Sequence, residues 1–134
     1  METEKVCVNL AAAELGKIDV LVAEGLYASR TDVIRHGLRY VLDSNEETVS
    51  RVTHGGARIG YQILSNTELL AARAAKRRLA LFVVGVLRIQ ASVTPELAEE
   101  TIERIRIFGA VRGPVEVLKA IDDRILRGGE NLDH

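Results

Sequence analysis

The sequence predicts a mainly α-helical protein with short β segments. An opening strand–helix–turn–helix unit is followed by a central helix and a closing strand–helix–helix unit. Three observations lead there. Residues 5 to 10 alternate apolar and polar side chains; apolar residues then recur at helical spacing as far as Leu42; and the last third repeats that order from Arg88 onward. The expected division is 1–46, 47–83 and 84–134. The opening unit is too short to enclose a core alone, so its apolar stripes call for a second copy of the chain.

In Lys5-Val6-Cys7-Val8-Asn9-Leu10, the residues Val6, Val8 and Leu10 share one side of a strand and Lys5, Cys7 and Asn9 the other. Leu15, Ile18, Leu21 and Val22 fall at helical spacing over residues 11 to 24, and Gly25 supplies a C-cap. Ser29 reads as the N-cap of the next helix, with Asp32 three residues on as a partial capping box. That helix turns Val33, Ile34, Leu38, Val41 and Leu42 inward, carries Arg30, Arg35 and Arg39 in its first turns, and ends near Ser44-Asn45.

His54-Gly55-Gly56 marks a break, and Ile59 to Leu64 reads as a short extended piece. Asn66 or Thr67 caps a third helix running to about Val83. From Arg88 to Val93 alternation returns, with Ile89, Ala91 and Val93 on one side and Arg88, Gln90 and Ser92 on the other. Thr94-Pro95 then opens a helix expected to reach Phe108 and stop at Gly109. Gly113-Pro114 opens a last helix with Val117, Leu118, Ile121 and Ile125, closed by Gly128-Gly129.

Composition narrows the function classes. Of the 134 residues 47% are hydrophobic, enough for a packed core, whereas aromatics at 4% leave that core to Leu, Val, Ile and Ala. The formal net charge of −1 excludes a strongly basic surface, so any nucleic-acid contact must come from a local patch. A single cysteine, Cys7, rules out an internal disulfide framework and suits a reducing compartment. Met1-Glu2-Thr3-Glu4 is unlike a secretory leader, and the apolar run Leu79 to Leu87 is too short for a bilayer. The expectation is a soluble, cytoplasmic protein with no membrane partner.

With these residues in view, the first third of the chain resembles the ribbon-helix-helix (CopG/Arc/MetJ-like) transcriptional regulators. The resemblance rests on the strand Val6-x-Val8-x-Leu10, on Gly25 ending the first helix, and on Ser29-Arg30-Thr31-x-x-Ile34-Arg35-x-Gly37-Leu38-Arg39. Ala11 stands where the family often carries a proline; Gly37 meets its preference for a small residue. The resemblance implies a homodimer or higher homo-oligomer. Strands of two chains would pair antiparallel and enter the major groove of double-stranded DNA, so that Lys5, Cys7 and Asn9 face base edges. Ser29, Arg30 and Thr31, at the start of the second helix, would meet a phosphate. The closing unit resembles the same plan loosely. There Gly113-Pro114 replaces the Ser-Arg opening, and Pro114 removes a backbone N–H, so assembly rather than base reading is expected of it.

Residues 44 to 83 hold six basic and three acidic residues, so positive charge concentrates there. Arg73, Lys76, Arg77 and Arg78 are candidates for secondary contacts to the DNA backbone. Cys7, His36 and His54 lack the spacing of a closed metal site, and no cofactor is implied. Glu99, Glu100 and Glu103 beside Arg104 and Arg106 read as a solvated, ion-paired helix face. With no nucleophile triad, phosphate loop or paired cysteines, no enzyme activity is expected. The leading reading is a sequence-specific regulator acting as a repressor. The alternative is an antitoxin or protein-interaction module whose C-terminal unit holds a protein partner, with DNA binding serving autoregulation. A DNA-organising protein with little sequence preference is a third.

Overall fold

The structure is a computed structural model and describes residues 3–128. Two compact units divide the chain, Met1–Val52 and Thr53–His134.

In the first unit, α1 (Ala12–Ala23) and α2 (Arg30–Ser44) lie where the periodicity puts them, and α3 (Glu46–Thr53) follows. α1 ends in a left-handed turn that needs glycine. Gly25 has φ +78, its N–H donates to Val22 O, and the N–H of Leu26 donates to Leu21 O. Ser29 caps α2 by accepting from the Asp32 N–H at 3.1 Å. The expected strand Lys5–Leu10 is absent from the single chain: residues 3–11 belong to no helix or sheet. None of residues 3–52 is buried.

The second unit overturns the mainly α expectation. It is an α/β domain built on one four-stranded, all-parallel sheet in the order β1-β2-β3-β4: β1 Arg58–Leu64, β2 Leu79–Ile89, β3 Ile102–Arg112 and β4 Ile125–Arg127. Each strand returns to the next through a helix: α4 (Asn66–Ala74), α5 (Pro95–Thr101), and α6 (Val115–Ala120) followed by a 3-10 turn at Asp122–Arg124. Parallel neighbours require such crossovers.

The extended piece expected near Ile59–Leu64 is β1, but three other expectations change. The central helix stops at Ala74, where Lys76 takes a left-handed conformation (φ +55), and Leu79 onward becomes β2. The helix expected from Glu96 to Phe108 is cut at Thr101, and Ile102 to Phe108 enter β3. The closing strand–helix–helix unit dissolves likewise: β2 ends at Ile89, and Ile125 starts β4. The physical reason is pairing. Leu79–Leu87 is a near-continuous apolar run, and in Ile102–Phe108 the buried Ile105 and Ile107 alternate with Arg104 and Arg106; both patterns suit strands paired in a sheet better than a helix.

One sheet face meets the helices. Leu81, Val83, Leu87 and Ile89 of β2 and Ile105, Ile107 and Val111 of β3 are buried with Leu69, Leu97, Ala98 and Val117 of the helices. Ile89, Leu97, Ile102, Ile105 and Ile121, part of a set expected to be buried against its counterpart or against the central helix, are buried within the chain; Ala91 of that set is exposed and Leu118 half-buried. Thr101, the buried polar residue, donates its hydroxyl to Leu97 O at 2.6 Å.

A row of glycines crosses the sheet. Gly60, Gly85 and Gly109 stand in register, all with positive φ (106, 139 and 127). A Cβ on Gly85 would fall closer than 3.0 Å to the carbonyl of Gly60, and one on Gly109 equally close to that of Gly85. Three strands therefore share one backbone kink that only glycine permits.

Candidate nucleic-acid interface

Lys5, Cys7 and Asn9 are all exposed on the extended segment before α1. Their apolar counterparts are exposed too: Val6 by 80%, Val8 by 73% and Leu10 by 41%. Such a strip cannot be a settled surface, because each valine left in water forgoes about 1.5–3 kcal/mol of burial. The segment joins α1 through Ala11, whose N–H donates to the Glu14 carboxylate at 2.9 Å.

α2 carries a matching stripe. Ile34, Leu38, Val41 and Leu42 follow the i, i+4, i+7, i+8 spacing of one helical face, and all are about half exposed. Strip and stripe are apolar surfaces left uncovered by the described residues 3–52.

Ser29, Arg30 and Thr31 stand at the N-cap and first turn of α2. The Ser29 hydroxyl is used by Asp32 N, while the Asp32 carboxylate accepts from the Ala28 N–H at 3.1 Å. Arg30 is engaged. Its Nε and one terminal nitrogen fork onto the two Asp19 oxygens of α1, both at 2.8 Å. That hydrogen bond, and then the guanidinium charge, hold the Asp19 carboxyl below the usual carboxylate range; the same pair raises Arg30. His36 lies 3.3 Å from the Asp32 carboxylate, with Tyr27 edge-on to its ring at 5.2 Å.

Sequence reasoning missed Asp19 and Tyr27. Asp19 is eleven residues from Arg30 across a turn, so no helical spacing links them.

The basic run is not one helix face. Arg73 ends α4, and Lys76 and Arg77 lie exposed in the turn after it. Arg78 points elsewhere. With Arg124 it donates to the Glu99 and Ile102 carbonyls that close α5, at 3.3–3.4 Å from Arg78 and 2.7–2.8 Å from Arg124. Gln90, once expected on an outward strand edge, accepts from the Asn66 N–H at 2.9 Å and holds the start of α4.

Among the described residues, no cluster of His, Cys, Asp or Glu is placed to hold a metal, and no helix is long and apolar enough to cross a membrane.

A family model described as "Ribbon-Helix-Helix transcriptional regulator family" matches residues 1–118. The match extends well past the first third of the chain, through the first three strands of the parallel sheet. No curated protein and no solved structure matches the chain.

Proposed function

The chain belongs to the ribbon-helix-helix transcriptional regulator family, and from that premise we propose that it binds double-stranded DNA as a homodimer. In this reading the segments 5–10 of two copies pair with each other, antiparallel, in the major groove. The ribbon belongs to the dimer, which agrees with its absence from one chain. Val6, Val8 and Leu10 close onto the α2 stripes, and Lys5, Cys7 and Asn9 are left for base edges.

The observation that carries the reading is that none of the described residues of the first unit is buried. Two helices and an extended strip with both sides in water do not make a stable unit; a second copy supplies the missing cover.

Each named residue has a distinct role. Lys5 suits guanine acceptors, Asn9 forms a bidentate pair with adenine, and Cys7 packs on a thymine methyl. Ser29, Thr31 and the first-turn N–H groups of α2 anchor a phosphate. Arg30, held by Asp19, sets α2 against α1 and lends the anchor its charge. Arg73, Lys76 and Arg77 add contacts that do not depend on sequence. A dimer seated on a promoter excludes other proteins from it, so repression is the expected outcome. The packed core of the second unit favours this regulator over an antitoxin, whose partner-binding tail would be disordered when free.

The test is binding of the full chain to DNA from its own upstream region, with a random competitor. Asn9→Ala and Lys5→Ala should each cost about 1–3 kcal/mol of specific binding and leave competitor binding unchanged. Ser29→Ala should weaken both DNAs alike. Full sequence preference in the Asn9→Ala, Lys5→Ala double variant would refute the reading.

A further inference from the structure

All three crossover helices of the second unit pack on one face of its sheet, and among the described residues of that unit no element covers the other face. The register defines that face row by row. Phe82, Arg106 and Leu126 form one row; Ile59, Val84 and Phe108 the next; Tyr61, Val86 and Ala110 the third. Ile59 is 68% exposed, and Phe82, Val84, Val86, Phe108 and Ala110 are only half-buried. Parallel sheets almost always have both faces covered, because their strands are apolar on both sides. A bare apolar face of this extent marks a contact surface.

We propose that this face is where a second copy of the chain docks, face to face, about a two-fold axis through the Ile59–Val84–Phe108 row. Area supports a second copy as the occupant. Strands β2 and β3 of eleven residues run about 36 Å, and three to four strands span about 15 Å. That is roughly 500 Å² in projection per copy and about 1,000 Å² for the pair, the lower limit for a specific interface.

Shape supports it too. An axis across the strands lays the bulky Phe82–Arg106 row of one copy over the small Val86–Ala110 row of the other. Arg106 is built for such a site. Its guanidinium stacks 4.5 Å from the Phe82 centroid and 5.6 Å from that of Phe108, and its buried Nε has no hydrogen-bond partner. Both copies thus keep their arginine over aromatic rings and away from each other.

The experiment is sedimentation equilibrium of the full chain without DNA, across protein concentration, for wild type and Ile59→Glu. Ile59 is exposed in the single chain, so the substitution leaves the fold intact, which circular dichroism checks. The expected result is association weakened about tenfold or more by the buried carboxylate. Val84→Lys is the second variant and should act alike. An Ile59→Glu mass curve identical to that of wild type would overturn the proposal. Sequence preference for DNA, which depends on Lys5 and Asn9, should survive in both variants; its loss would count against a pure docking role for the face.

Discussion

Adding one methyl group at three glycines tests the kinked sheet directly. Gly60, Gly85 and Gly109 share the same register and a positive φ, but only two of them have a neighbour in the way. For Gly60→Ala the cost is backbone strain alone, about 1–3 kcal/mol for a side chain held in a sparsely populated region. Gly85→Ala carries the same strain and also drives its Cβ into the Gly60 carbonyl; Gly109→Ala meets the Gly85 carbonyl in the same way. Relief requires the strands to part, at about 1–3 kcal/mol for overpacking and about 0.5–1.5 kcal/mol for each ladder hydrogen bond lost. The expected totals are therefore about 1–3 kcal/mol for Gly60→Ala and, with one ladder bond lost, roughly 2.5–7.5 kcal/mol for the other two. Urea unfolding followed by far-ultraviolet circular dichroism measures the difference. If Gly85→Ala and Gly109→Ala cost no more than Gly60→Ala, the close approach of the glycine backbones is not a structural constraint and the reasoning fails.

Two further outcomes follow from single contacts. Asp19 has a folded-state pKa below its unfolded value, so the stability it contributes is present above about pH 4 and is lost as pH falls through the lower folded value. Arg30→Gln should bring the Asp19 titration, read by NMR, back up to the ordinary carboxylate range and alter the acid-unfolding curve only below about pH 4; an unmoved titration would show that Arg30 is not the cause. Leu69 of α4 is fully buried against the sheet, so Leu69→Ala should cost about 2–5 kcal/mol in urea unfolding, and a loss under about 1 kcal/mol would mean that α4 does not pack as described.

By itself the sequence determined the first two helices and the family. Gly25, Ser29 and the apolar spacing from Leu15 to Leu42 act within one or two turns of their own positions, so the termini of α1 and α2 are written locally. The strip Lys5–Leu10 is legible as a strand, yet its hydrogen-bond partners do not lie in the same chain. The fold of residues 58–127 was decided by tertiary structure. Leu97, Ile102, Ile105 and Phe108 fit a helical period, while Ile105, Ile107 and Val111 fit a strand, and both patterns sit in the same stretch. What chooses between them is the ladder that sets Leu81 beside Ile105 and Val83 beside Ile107. A parallel strand has no hydrogen-bond partner near it in sequence, and its stability comes from neighbours some two dozen residues away. Local spacing carries no record of those neighbours, which is why the helices could be read directly and the sheet could not.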